Sequence, residues 1–103
     1  MTLRSLTLTF SGSAQALSTL LSATVADVPV YAVDIQADNN NSNVFYVGGS
    51  DVDANKGIEI PIPVSSVPEA PYRIGDFGGR NLYLRDVYVL GTASQTAHIL
   101  VFV

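Results

Sequence analysis

The sequence predicts an all-β fold: one domain, residues 1–103, built as an antiparallel β-sandwich of jelly-roll-like type. Three observations carry this. Several short runs alternate apolar and polar residues with a period of two, as strands with one buried face do. The joints between them are rich in Gly, Pro, Asn, Asp and Ser, the residues that favour turns. The last run, Thr96 to Val103, is apolar on both faces, as in a strand covered on both sides.

Thr2 to Phe10 forms the first strand, with Leu6, Leu8 and Phe10 on one face and Thr7 and Thr9 on the other. Ser11-Gly12-Ser13 is a turn. Ala14 to Ala23 admits two readings. Leu17, Leu20 and Leu21 at i, i+3 and i+4 suit a short helix capped by Ser13. A short strand ending near Leu17, followed by a loop, suits the surrounding β pattern equally. Pro29 is acceptable at a strand's first residue. From Val30 to Gly49 the pattern is clearest. Tyr31, Val33, Ile35 and Ala37 alternate with Ala32, Asp34 and Gln36; Asp38 to Asn43 interrupts; Val44 to Val47 resumes and stops at Gly48-Gly49. Two such runs around a polar turn read as a β-hairpin with a long loop.

Beyond a polar turn, Ile58-Glu59-Ile60 is a brief strand. Pro61, Pro63, Pro68 and Pro71 make the next stretch a sheet edge or an extended loop, because proline cannot donate to a ladder. Tyr72 to Arg80, with three glycines, reads as a loop. Asn81 to Leu90 reads as a strand with Leu82, Leu84, Tyr88 and Leu90 on one face. In the closing strand His98, Leu100 and Phe102 share one face, and Ile99, Val101 and Val103 the other. Such a strand belongs in the centre of the fold or under a partner, since an exposed apolar edge invites aggregation.

Composition narrows the function. The chain is 48 % hydrophobic and only 14 % charged, rich for a small monomer, so part of the apolar surface is expected in an interface. Net charge is −4 and the five basic residues are scattered, which argues against nucleic acid as the partner. No cysteine is present, so disulfides and thiolate chemistry are excluded. No apolar run approaches the length of a membrane span, so no membrane partner is expected. The stretch MTLRSLTLTFSGSAQAL alternates instead of forming an apolar block, which points away from a signal peptide and toward synthesis in a cytoplasm.

Candidate chemistry is sparse. Asp51, Asp53 and Asn55 alternate as the first ligands of a calcium loop do. Lys56 then stands where the turn glycine belongs, and Ile62 where the closing carboxylate belongs, so the segment reads as a polar hairpin turn. His98 is the only histidine; zinc or triad chemistry lacks its partner motifs, and His98 reads as a packed or interface residue. Gly75 to Gly79 lacks the Lys-Ser/Thr ending of a phosphate loop. Tyr31, Tyr46, Tyr83 and Tyr88 suit core or cross-strand pairs better than a sugar platform. No catalytic residue and no cofactor are expected. The interface candidates are Tyr72, Arg73, Phe77, Arg80, Phe102 and Val103, of the residue types enriched at protein contacts or on the apolar closing strand.

One family pattern accompanies these readings. Its parts run in order: LTLTFSGSAQALS at the start, a strand ending in an Asn-rich turn, Asn43 to Ser50 (NVFYVGGS), a glycine-led segment before the prolines, then Asn81 to Gln95 (NLYLRDVYVLGTASQ) and the hydrophobic closing strand. From Leu6 to Val103 this order resembles the small β-sandwich virion proteins of tailed bacteriophages, and most of all the decoration, or cement, proteins of heads. The resemblance implies a non-enzymatic part of the virion, made in the host cytoplasm. It implies homo-oligomers, commonly trimers, on the lattice of the major capsid protein or another virion protein. A tail or fibre component contacting a receptor or glycan is the alternative. A small enzyme of cupin type fits least, because cupin metal sites draw on several histidines. If the Asp51–Gly57 turn holds no calcium, chelator leaves the melting temperature unchanged; a large fall in a thermal melt would restore the calcium loop.

Overall fold

Leu8 and Phe10 are buried and Leu6 half-buried, while Ser5, Thr7 and Thr9 face outward, which sets β1 (Leu3–Thr9) over a core. The computed structural model describes residues 2–21, 29–63, 70–76 and 78–103. The remaining strands are β2 (Gln15–Ala16), β3 (Ala32–Ala37), β4 (Phe45–Gly48), β5 (Ile58–Ile60), β6 (Tyr72–Gly75), β7 (Tyr88–Leu90) and β8 (Thr96–Phe102). They form two four-stranded antiparallel sheets, a first sheet in the order β1-β8-β3-β6 and a second in the order β2-β7-β4-β5. β1 pairs with β8, β2 with β7, β3 with β6 and β4 with β5. That nesting is one long hairpin wound over itself, the jelly roll the sequence predicts.

The core lies between the sheets. Val33, Ile35, Ile99 and Val101 face it from the first sheet, and Phe45, Val47 and Val89 from the second. Each such side chain contributes roughly 1.5–3 kcal/mol by leaving water. Phe10 and Phe45 meet at 4.8 Å between ring centroids, tilted by 42°. Gly91 makes room for that contact, since a Cβ there would fall 2.4 Å from the Phe10 ring. β8 runs in the middle of its sheet with β1 and β3 on either side, so both its edges and its inner face are covered, whereas His98, Leu100 and Phe102 face outward and are not covered as the two-faced apolar pattern predicts.

Four expectations change. The stretch from Tyr31 to Val47 is not a hairpin: β3 and β4 lie in different sheets. The Asn-rich segment crosses between them, and buried Asn41 anchors it. Its amide donates to the Thr96 carbonyl at 2.7 Å and its Oδ1 accepts from the Thr96 N–H at 3.1 Å. Asn41 thus acts as a peptide group that continues the β8 ladder past the end of β3. Tyr72 to Gly75 is an edge strand, not a loop. Gly75 ends it at φ +108°, where a Cβ would lie 2.8 Å from the Tyr31 carbonyl oxygen. The run Asn81 to Leu90 is broken by a 3-10 turn at Leu84–Asp86. The turn shifts the phase, so Leu82 and Leu84 are buried before it and Val87 and Val89 after it, leaving Tyr88 and Leu90 half-exposed on the other face. The ambiguous segment contains β2 and then one turn of helix, α1 (Leu17–Leu20), capped by Ala16 without a side-chain bond and not by Ser13; its end, from Ser22, lies outside the described residues.

Replacing Asn41 with Ala leaves the Thr96 N–H without its partner inside the fold. A loss of about 1–3 kcal/mol is expected for such an orphaned donor, read as a lower denaturation midpoint with an unchanged slope. An unchanged midpoint would show that the crossing is held by something else.

Candidate functional site

The outer face of the first sheet gathers the chemistry that the sequence disperses. Antiparallel register sets Leu3 beside Phe102, Ser5 beside Leu100 and Thr7 beside His98. On the other side of β8, Asp34 lies beside Leu100 and Gln36 beside His98. β6 then adds Arg73 beside Asp34. Leu100 and Phe102 are half-buried and Leu3 is 56 % exposed, so the face has an apolar strip within a polar border. A shallow groove of about 390 Å³ runs over it, lined by Thr7, Asp34, Gln36, Pro71, His98 and Leu100 among others.

Two hydrogen-bonded side-chain pairs frame the strip. Arg73 donates through Nε to Asp34 Oδ1 at 2.7 Å and through Nη2 to Asp34 Oδ2 at 3.0 Å. The guanidinium lies over the Phe102 ring, 4.5 Å from its centroid. The Asp34 carboxylate raises the Arg73 pKa above its usual value, chiefly through that hydrogen bond. At the other end of the groove, His98 Nε2 lies 2.8 Å from Asp38 Oδ1. An ionised carboxylate only accepts, so Nε2 carries the proton. The Asn40 N–H donates to Asp38 Oδ2 at 2.9 Å. That backbone bond first, and His98 second, hold the Asp38 carboxyl below its ordinary pKa of 3.8.

The predicted interface residues do not form one patch. Arg73 and Phe102 meet on the outer face. Tyr72, 37 % exposed, turns the other way and lines an opening between the sheets with Ile58, Ile74 and Leu82. Arg80 stands over Tyr31 at 5.1 Å. Val103 packs against the core and exchanges two backbone bonds with Thr2, at 2.8 and 3.1 Å. Phe77 lies outside the described residues. His98 is not packed in the core; it sits half-exposed beside Asp38.

The metal candidates occupy a tight turn. Asp53 and Lys56 exchange backbone bonds at 3.0 and 3.1 Å, and Asp53 Oδ1 accepts the Asn55 N–H at 2.7 Å. Asp51 is exposed before the turn. Among the described residues no three His, Cys, Asp or Glu come together as a metal would need. Tyr46 and Tyr88 share the outer face of the second sheet, whereas Tyr83 stacks with Arg85 at 4.3 Å and Tyr31 with Arg80. The contributions of Asp34, Asp38, Gln36 and Leu100 escape sequence reading. Period two puts each on a face, but only the pairing of β3 with β8 puts them on the same one.

Chemically, the arrangement combines an apolar centre, an arginine over an aromatic ring and a polar border, the make-up found at protein contacts. Comparison with protein-family models, with curated proteins and with solved structures found no match.

Because the folded Asp38 pKa is depressed, its ionised form stabilises the fold above the unfolded value of 3.8, and that contribution disappears as pH falls through the lower folded value. Asp38→Asn is therefore expected to be less stable than the wild type at pH 6, with the gap closing as pH is lowered through the carboxylate range. A gap independent of pH in denaturation series would show that the charge contributes nothing.

Proposed function

We propose that this chain is a non-enzymatic structural protein of a bacteriophage particle, a decoration protein that cements the head shell. One observation carries the reading: the outer face of the first sheet has the make-up of a protein interface. Leu100 and Phe102 supply an apolar centre, Arg73 lies over Phe102, and the Asp34 and Asp38 pairs make a polar border. The order of sequence features from Leu6 to Val103 supplies the kind of partner, a major capsid protein or another virion protein. The jelly roll is compatible with it, although a fold alone names no function.

A cement needs a firm body and many repeated contacts. Repetition around a shell adds weak contacts into strong attachment, so each copy can hold its neighbour modestly. A second reading, a tail or fibre part that contacts a glycan, draws on Tyr46 and Tyr88, whose half-buried rings share the outer face of the second sheet.

Binding to undecorated shells tests the choice. Phe102→Ala and Arg73→Ala, each shown folded by circular dichroism, are expected to weaken binding at least about fivefold, as truncation of an interface anchor does. Shell binding untouched by both variants would overturn the assigned surface. Glycan binding that is lost with Tyr46→Ala, with no binding to shells, would establish the second reading instead.

A further inference from the structure

The four sheet edges are not alike. β2 has two residues. β5 has three and runs into Pro61 and Pro63. β6 has four and is preceded by Pro71. Short strands and prolines are how proteins keep edges from pairing with other chains. β1 has seven residues, no proline, no lysine and one charge, Arg4. It lies at the end of its sheet, and among the described residues nothing pairs with its outer side.

Its free groups can be assigned. Thr2 and Val103 exchange both backbone bonds, and Phe10 donates to Gln95 and accepts from Ser94. Even-numbered residues of this strand therefore turn their N–H and C=O toward β8. In an antiparallel ladder the odd-numbered ones, Leu3, Ser5, Thr7 and Thr9, turn theirs outward.

We infer that this edge pairs with β1 of a second copy of the chain, antiparallel about a twofold axis at Leu6, joining the two first sheets into one continuous sheet. The strand is self-complementary in this register. Leu3 falls opposite the second copy's Thr9, and Ser5 opposite its Thr7, so the outward groups of all four residues are used, from both copies. Ser5 and Thr7 bring hydroxyls together across the seam, a favourable cross-strand pair. On the inner face half-buried Leu6 meets its own copy, and Arg4 falls opposite Leu8, which keeps the two arginines at opposite ends of the seam. Like charges are never opposed. A register centred on Ser5 would set Thr9 opposite residue 1, outside the described residues, whereas the register at Leu6 pairs all four outward residues within β1. A C₂ contact of this kind is isologous and closes at two, in place of the trimer that the resemblance implies. The pairing goes beyond the shell-binding role and stands whether or not the outer face binds a capsid.

The absence of cysteine makes the register directly readable. Light scattering should give twice the 10.9 kDa chain mass. Leu6→Cys, whose thiols would face each other across the axis, should oxidise readily to a covalent dimer, while Arg4→Cys, opposite Leu8, should not. Thr7→Pro removes an outward N–H without touching the β8 ladder and should shift the mass to the monomer while the circular dichroism spectrum holds. A monomer at every concentration, a trimer, or equal cross-linking of the two cysteine variants would overturn the pairing. Should Thr7→Pro fail to fold, the contrast between the two cysteine variants decides alone.

Discussion

The structure depends on one strand being paired along both edges. β8 pairs with β1 on one side from Thr96 to Phe102 and with β3 on the other from Ala97 to Phe102. Its inward residues, Ala97, Ile99 and Val101, are nearly inaccessible and form the floor of the core. Its outward residues, His98, Leu100 and Phe102, form the centre of the candidate contact surface. A strand apolar on both faces would be a hazard at an edge. Here the nested pairing carries it to the middle, where one face of the strand lines the core and the other forms the centre of the outer face.

Smaller devices complete the frame. Asn41 continues the β8 ladder where β3 stops, and Gly91 lets Phe10 reach Phe45. Magnitudes separate stability from function on the outer face. A side chain buried in the core contributes roughly 1.5–3 kcal/mol. A solvent-accessible ion pair contributes about 0–1 kcal/mol. The half-exposed Arg73 therefore adds little to holding the sandwich together. Its clamp on Asp34 holds the guanidinium over Phe102, which in the proposed docking leaves less side-chain freedom to be lost.

Much of the fold was legible as strands and little of it as pairings. Period two located β1, β3, β4, β5 and β8, because each has one face in a common core. It could not tell that β3 and β4 part into different sheets, since a polar segment between two strands looks alike in a hairpin and in a crossing. The phase change at Leu84–Asp86 was hidden for a related reason: a single 3-10 turn moves the buried set from even to odd positions without any apolar residue being lost. Tyr72–Gly75 was hidden by Gly75, Gly78 and Gly79, which give the run from Tyr72 to Arg80 the look of a loop. The candidate site was the least legible part. Arg73 and Phe102 stand out by residue type, but their contact, and the company of Asp34, Asp38 and Leu100, follows only from a register that joins residues about sixty positions apart.

Native-state hydrogen exchange, read amide by amide, tests the central place of β8 most directly. The amides of Ile99, Leu100 and Val101 are expected to be the slowest among the described residues and to exchange only through global unfolding, well behind those of edge strands β2 and β6. Exchange of the β8 amides at the rate of those edge strands would contradict that expectation, for then the strand on which both the core and the outer face rest would open by itself.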